Sequence, residues 1–337
     1  MVKMKIIVRA PNWIGDTILS IPVLESLQKN DPEAELWVLA RGWVKDLYGP
    51  GLRIAGLIPL PESGGWRSLR ESSRRIREKS FDLGLLLTNS LASAFLFYLA
   101  RVPERWGYSA DGRALFLTRA VRPRKNGEPV HMVEYYRSLL VGLGLKTAEP
   151  EVRLTVRPEE KAWATEALQH AGLDPGKPLV LLNPGAHFGP AKRWPADRFA
   201  RTALILQKEK SVEIAIIGSA NETGLADEVS SLMEKKPAVF SGRTTLRQLL
   251  GLISRASLFI SNDSGPMHMA NALGVPVVAV FGPTDPAVTR PFHPPSIVLK
   301  KDVPCWPCFY RQCPYDHRCM VSIEPAEAAA ASQKFLP

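Results

Sequence analysis

Nowhere do 18 uncharged apolar residues run together in this 337-residue chain, and that is the length a helix needs to cross a bilayer. The opening Met1-Val-Lys-Met-Lys5 runs directly into an apolar strand pattern, with no apolar signal-peptide core between, so a cytoplasmic protein is expected. The patterns G-x-G-x-x-G, G-x-x-x-x-G-K-[ST], G-x-S-x-G and H-E-x-x-H are missing as well. Dinucleotide oxidoreduction, P-loop hydrolysis and serine hydrolysis lose most of their ground with them. There is no Asp-x-Asp pair of the kind that holds a metal on a nucleotide sugar. No basic strand studded with aromatics and no recognition-helix module is present, which argues against a nucleic-acid partner.

Cysteine is scarce, and its four copies are clustered. Cys305, Cys308, Cys313 and Cys319 form C-x2-C-x4-C-x5-C, with Pro304, Pro307 and Pro314 beside them. In a cytosolic chain such clustering favours thiolate metal binding over disulfides, yet the spacings are short for a zinc ribbon. Three states stay open: a structural metal site, reduced structural thiols, and an oxidised pair. A metal held there is expected to be structural and distant from the chemistry.

What the chain does hold is apolar residues at 45%, charged residues at 23% and a formal net charge of +10. The length allows two domains of ordinary size, each with its own core. Residues 1–155 carry 23 Lys and Arg against 16 Asp and Glu, whereas residues 156–337 carry 20 against 17. The amino-terminal half therefore holds most of the basic excess, a property that attracts anionic membrane, nucleic acid or an acidic substrate.

Apolar runs of strand length alternate with helical patterns from Met4 to Phe281. Strands are expected at Met4–Arg9, Glu35–Ala40, Ile54–Leu60, Asp82–Thr88, Leu179–Asn183, Val212–Gly218, Leu258–Ser261 and Val275–Phe281, with shorter ones near Arg101–Gly107 and Ala238–Phe240. A short helix is expected near Val44–Tyr48. Ser109–Pro129 reads as a basic surface loop, His131 as a capping or surface residue, and Gly144–Pro158 as a connection. Strands alternating with helices this regularly imply parallel sheets covered on both faces. The expected fold is α/β, two Rossmann-like doubly wound domains facing a cleft, at 1–155 and 156–337.

Four strand-to-helix junctions then carry the chemistry. Leu179-Val-Leu-Leu-Asn-Pro-Gly185 is a buried strand emptying into a glycine-bearing loop, with Phe188, Gly189 and the basic pair Lys192 and Arg193 following. Ligands of open α/β folds bind at such carboxyl edges, and a lysine there suits phosphate. Ser261-Asn-Asp-Ser-Gly-Pro-Met-His268 opens a helix with Pro266 in its first turn, so free amides near Ser264 and Gly265 form an anion site. Asp263 and Ser264 suit capping of that helix, and His268 lies one turn in. Glu222, beyond the strand ending at Gly218, suits either a ribose diol or the dipole of its own helix. Phe281-Gly-Pro-Thr-Asp-Pro286 is a fourth loop at the same edge. In the amino-terminal half, Asp16 follows Pro11-Asn-Trp-Ile-Gly15 at a helix start, where the dipole keeps a carboxylate ionised.

Pro11–Asp16, Asn183–Pro195, Asn262–His268 and Phe281–Pro286 together resemble the ADP-heptose glycosyltransferases of bacterial lipopolysaccharide synthesis, the type II branch in particular. Phe188-Gly-Pro-Ala-Lys-Arg-Trp-Pro195 is the most specific stretch, and the likeness spans nearly the whole chain. The resemblance implies the GT-B architecture, with acceptor on the amino-terminal domain and sugar nucleotide on the carboxy-terminal one. It implies inverting, metal-independent transfer of heptose from ADP-heptose to the first heptose of the inner core, with no cofactor required for catalysis. Asp16 would be the general base and Lys192 would bind the diphosphate. Glu222 would bind the ribose, and Gly185, Phe188, Gly189, Asp263, Ser264, Gly265 and His268 would line the donor site. Asn12, Trp13 and Asn89 are the acceptor candidates. Another nucleotide-sugar enzyme of the same fold, an epimerase or a transferase of another sugar, is the alternative. The expected partners are ADP-heptose, the lipid A-core acceptor and the anionic inner face of the inner membrane.

The helix Trp66–Lys79 is the best single candidate for that membrane contact, since Arg67, Arg70, Arg74, Arg75, Arg77 and Lys79 crowd it. A solvated face on which Glu71 and Glu78 pair some of the arginines is the plainer reading.

Overall fold

A computed structural model describes residues 3–49, 52–61, 64–123 and 128–337. Contacts divide the chain into two compact units, Met1–Val152 and Arg153–Pro337. Among the described residues no helix is long and apolar enough to cross a membrane.

In the first unit, β1 (Lys5–Arg9) is followed by α1 (Ile14–Leu19), α2 (Ile21–Asn30), β2 (Glu35–Arg41) and β3 (Ile54–Leu60). Next come α3 (Trp66–Lys79), β4 (Leu83–Leu86), α4 (Leu91–Leu99), β5 (Glu104–Tyr108), β6 (Arg119–Val121) and α5 (Met132–Gly142). The six strands pair in parallel in the order β3-β2-β1-β4-β5-β6. β1 is central, and four of its five residues are buried. Successive side chains of a strand point to opposite faces, so Ile6 and Val8 pack with Leu24, Leu85, Tyr136 and Leu139. Ile7 packs on the other face with Leu86, Ile76 and Phe97.

The second unit repeats the plan. It contains α6 (Pro158–His170), β7 (Leu179–Asn183), α7 (Ala196–Lys210), β8 (Glu213–Ile216), α8 (Thr223–Ser231), β9 (Ala238–Val239) and α9 (Leu246–Ser254). After these run β10 (Leu258–Asn262), α10 (Gly265–Ala272), β11 (Val277–Val280), α11 (Pro286–Thr289), β12 (Ser296–Leu299), α12 (Arg318–Val321) and α13 (Pro325–Gln333). The order is β12-β11-β10-β7-β8-β9, again parallel throughout. Buried Val180, Leu182, Ile214, Ile216, Ile260 and Val278 form its core with residues of α7 and α13. Numbered within its own unit, each sheet runs 3-2-1-4-5-6. The direction of winding reverses between β1 and β4 and between β7 and β10, and ligands of doubly wound sheets bind beyond the carboxyl ends of strands at that reversal.

The structure differs from the sequence reading in several places. The helix near Val44–Tyr48 is a 3₁₀ turn, Gly42–Leu47. Ser109–Pro129 is not merely surface loop, because it holds a 3₁₀ turn at Arg113–Phe116 and strand β6, and Arg113 is fully buried. Residues 124–127 of that stretch lie outside the described residues. β12, α12 and α13 were not anticipated. His131 caps α5, its ring accepting from the Val133 N–H at 3.3 Å.

Candidate functional site

At the carboxyl edge of the first sheet, the loops leaving β1 and β4 carry Asn12 and Asn89, and buried arginines hold both. Arg9, the last residue of β1, donates from Nη2 to Asn12 Oδ1 at 2.6 Å. Burial, with Arg41 nearby, lowers the Arg9 pKa to about 10. Arg113 reaches in from the turn after β5 and donates to the carbonyls of Tyr108 (2.7 Å) and Thr88 and to Asn89 Oδ1 (3.2 Å). Asn89 Nδ2 in turn donates to the Tyr135 hydroxyl at 2.7 Å. Trp13, 46% exposed, precedes α1 as its N-cap residue, and its side chain makes no cap hydrogen bond. Asp16 sits half-buried in the first turn of α1. It is close enough to Tyr136 that its charge adds to burial in pushing that phenol well above its ordinary pKa. Asp16, Tyr136, Tyr135, Asn89 and Arg113 thus surround one sheet edge. The buried Thr88 hydroxyl at the same edge has no hydrogen-bond partner among the described residues.

The second sheet's edge is knitted between β7 and β10. Asn183, ending β7, donates to Ser261 Oγ at 3.0 Å and Ser264 Oγ at 2.9 Å. Asn262, ending β10, donates to the Pro184 carbonyl at 2.7 Å and accepts from the Trp194 N–H at 2.9 Å. These bonds fix the loop 184–194 over the start of α10. Neither expected cap is found there: α10 has no side-chain cap, because Ser264 faces Asn183 and Ser261 while Asp263 faces elsewhere. The first-turn amides of α10 receive no capping side chain, which leaves them to an anion.

Asp263 forms an ion pair with Lys192 and accepts from Thr284 Oγ1 at 2.7 Å. The Lys192 side chain is 12% exposed and that of Asp263 5%, so this is a pair largely withdrawn from water. The Lys192 ammonium also lies 4.8 Å from the centre of the Phe188 ring, with the Arg311 guanidinium 5.4 Å from the same ring. Glu222 is half-buried, and its Oε2 accepts from Ser219 N–H (2.8 Å) and Oγ (2.7 Å), a capping role. Its Oε1 lies against the backbone of Gly185, where an added Cβ would come within 2.2 Å of it. Glu222 therefore caps its own turn with one oxygen and turns the other to the β7 loop. His268 is buried in α10 at 5% exposure.

The cysteine segment is not remote from these loops. The Arg311 carbonyl accepts from the Ala191 N–H at 3.0 Å and lies where a Cβ on Gly189 (φ +155) would meet it at 2.3 Å. Pro283 accepts from Cys308 and Phe309, and His317 Nε2 bonds the Ala191 carbonyl at 2.7 Å. All four cysteines are free and line one small cavity together with Ala191 and Pro283. Burial, with the neighbouring thiols, pushes Cys319 up to about 11. No group of three or more His, Cys, Asp or Glu among the described residues is arranged to hold a metal ion.

Asn12, Trp13, Asp16 and Asn89 therefore gather at one edge, and Gly185, Phe188, Gly189, Lys192, Glu222, Asp263, Ser264, Gly265 and His268 at the other. A family model described as glycosyltransferase family 9 (heptosyltransferase) matches residues 69–318. The chain belongs to glycosyltransferase family 9. Within that family it is 31% identical over 311 residues to lipopolysaccharide heptosyltransferase 2 of Salmonella typhimurium, covering 88% of each chain. The solved Escherichia coli ADP-heptose lps heptosyltransferase II is similar at a TM-score of 0.82, with 28% identity and 97% of both chains covered. A glycosyltransferase family 9 structure from Veillonella parvula is similar at 0.80, with 29% identity over 88% of this chain and 85% of that one. The two doubly wound units are those of the GT-B heptosyltransferases.

Sequence reasoning missed several members of these family 9 edges. Arg113 and Tyr136 carried no local signal, since a buried arginine in a basic loop reads like any other. Asn183 and Asn262 lie inside quoted motifs and could have been found as the polar residues that end buried strands. Thr284 lies inside the quoted Phe281–Pro286 loop, where its hydroxyl's bond to Asp263 was not foreseen, and Arg311 is recruited from a segment far along the chain.

Proposed function

We propose that this family 9 chain transfers L-glycero-D-manno-heptose from ADP-heptose to the first heptose of the lipopolysaccharide inner core, in a single inverting displacement. The observation that carries the reading is the second edge, where Lys192 stands beside the uncapped start of α10 and Glu222 reaches back to Gly185. A diphosphate needs preorganised positive charge that is in place before the glycosidic bond breaks. Lys192 supplies a charge and α10 supplies oriented amides. Asp263, itself held by the Thr284 hydroxyl, keeps the ammonium in position. Glu222 accepts from the ribose diol, with Gly185 leaving it room.

The first unit handles the acceptor. Asp16 takes the proton from the attacking hydroxyl, while Asn12 and Asn89, held by Arg9 and Arg113, accept or donate to the sugar. No metal is required for this scheme, because Lys192 and the helix amides meet the departing charge. The acceptor is lipid-linked, and the protein works from the cytoplasmic side of the inner membrane.

The test is release of ADP from ADP-heptose with and without heptose-terminated core acceptor. Release that depends on the acceptor supports the reading, and release without it points to another nucleotide-sugar reaction of the same fold. Asp16→Asn should leave ADP-heptose affinity nearly intact and lower turnover by on the order of a hundredfold or more. Unchanged turnover would remove Asp16 from the mechanism.

A further inference from the structure

The cation that meets the diphosphate in the proposed function is already matched. The Lys192 ammonium is paired with the Asp263 carboxylate, and both side chains are largely withdrawn from water. Together they carry no net charge. The start of α10 adds only the partial charge of a helix terminus, roughly half an elementary charge. A sugar nucleotide brings an ionised diphosphate, and its departure adds negative charge as the glycosidic bond breaks. The chemistry therefore calls for a further cation near Lys192, one whose charge no carboxylate cancels.

The cysteine segment carries such a group. Arg311 stands between Cys308 and Cys313, and its backbone is pinned to the loop of Lys192. Its carbonyl accepts from the Ala191 N–H at 3.0 Å and lies so close to Gly189 that any side chain there would strike it. On either side, the Cys308 and Phe309 N–H groups bond the Pro283 carbonyl and His317 Nε2 bonds the Ala191 carbonyl. The Arg311 side chain, by contrast, is exposed and makes no hydrogen bond or ion pair among the described residues. Its guanidinium lies 5.4 Å from the centre of the Phe188 ring, and the Lys192 ammonium lies 4.8 Å from that same centre. One ring thus gathers both cations within reach of a single diphosphate.

We propose that Arg311 is a second phosphate ligand of the sugar nucleotide, taking the charge that Lys192, tied to Asp263, leaves unneutralised. A guanidinium stacks on aromatic faces and grips two phosphate oxygens at once. Phe188 holds the group in place without occupying its N–H donors, which stay free for the ligand. A merely solvated arginine needs neither the ring nor the clamped carbonyl beneath it. The cysteine segment thereby gains a task, to hold a cation against the Lys192 loop. The inference rests on the reading of this edge as the donor site and adds to it a residue from outside the four junctions.

The experiment is isothermal titration of the full chain with ADP, adenosine and inorganic pyrophosphate. Arg311→Gln keeps the backbone carbonyl that holds Ala191. It should weaken ADP and pyrophosphate by roughly tenfold, the loss expected for one hydrogen-bonded contact to a charged group, and leave adenosine unchanged. Arg311→Lys keeps the charge without the fork and should fall between variant and parent. In steady state the KM for ADP-heptose should rise in Arg311→Gln while that for the acceptor and the melting temperature without ligand stay put. Parent-like affinity for ADP and pyrophosphate in Arg311→Gln overturns the inference. An equal loss of adenosine affinity does so too, since it would mark Arg311 as shaping the loop through Phe188. Two further outcomes separate this inference from the proposed function. Acceptor-dependent ADP release with an unaltered donor KM in Arg311→Gln removes Arg311 alone. Pyrophosphate binding that needs Arg311, with no ADP release under any condition, removes the heptosyl transfer and keeps the phosphate ligand. A parent chain that binds neither ADP nor pyrophosphate overturns both.

Discussion

Asp263→Ala should be far more costly to the empty protein than to the nucleotide-bound one. The Asp263 carboxylate and the Lys192 ammonium are 5% and 12% exposed, so removing the carboxylate leaves a cation largely out of water. Breaking a buried pair from one side costs about 3–5 kcal/mol. At roughly 2–4 °C per kcal/mol for a domain of this size, the lower figure corresponds to a fall of about 6–12 °C in the melting temperature. Lys192→Met should cost less, since Asp263 keeps its hydrogen bond from Thr284. Removing both charges in Lys192→Met/Asp263→Ala should recover a coupling of at least about 2 kcal/mol. Saturating ADP adds the decisive comparison. Its diphosphate would offer Lys192 the negative charge that Asp263→Ala took away, so ADP should raise the melting temperature of the single variant by more than that of the parent. Thermal unfolding of the four proteins with and without ADP measures every quantity. Additive single effects, or an equal lift by ADP in parent and variant, would refute the view that Lys192 is a phosphate ligand held ready by Asp263.

Two smaller experiments bear on the same unit. Gly185→Ala places a methyl 2.2 Å from Glu222 Oε1, the end of a flexible side chain, so the carboxylate should swing aside with little loss of stability. The Michaelis constant for ADP-heptose should then rise while that for the acceptor stays put, and steady-state kinetics read both. Glu160 joins α6 to α9 through Arg247 at 2.6 Å. Burial works to raise its pKa, but the bonds from Arg247 and the Arg157 N–H hold it below the ordinary value. Its contribution is thus present above the unfolded pKa and lost as pH falls through the lower folded one. Glu160→Gln should remove that acid-limb dependence from denaturation curves taken between about pH 5 and pH 3.

The strands and the loops that leave them were legible because a strand buried on both faces writes an unbroken apolar run, and its end writes Asn, Pro or Gly. β1, β7 and β10 are of that kind, and with them came Asp16, Lys192 and the Ser261–His268 junction. Ser109–Pro129 was opaque for the opposite reason. β6 is a three-residue edge strand with two of its residues exposed, and its neighbour Arg113 is buried through hydrogen bonds to carbonyls, which leave no periodic trace. The pairing of Lys192 with Asp263 was hidden as well, since the two lie far apart in sequence and both had been assigned to the ligand. A metal held by the cysteine segment was expected to lie far from the chemistry because nothing local says that Arg311 and His317 fold back on Gly189 and Ala191.

That fold-back has a bearing on how the protein is made. The loop that carries Lys192 takes its shape from the Arg311 carbonyl on Ala191 and from the Ile323 carbonyl on the Trp194 indole, both supplied by residues made more than a hundred positions later. Synthesis proceeds from the amino terminus, and domains fold as units as they emerge. The first unit can therefore close its sheet while the second is still being translated. The Lys192 loop cannot settle until the segment beyond Arg311 has left the ribosome. A nascent chain stalled before that point would present the carboxyl edge of the first sheet complete and that of the second unformed.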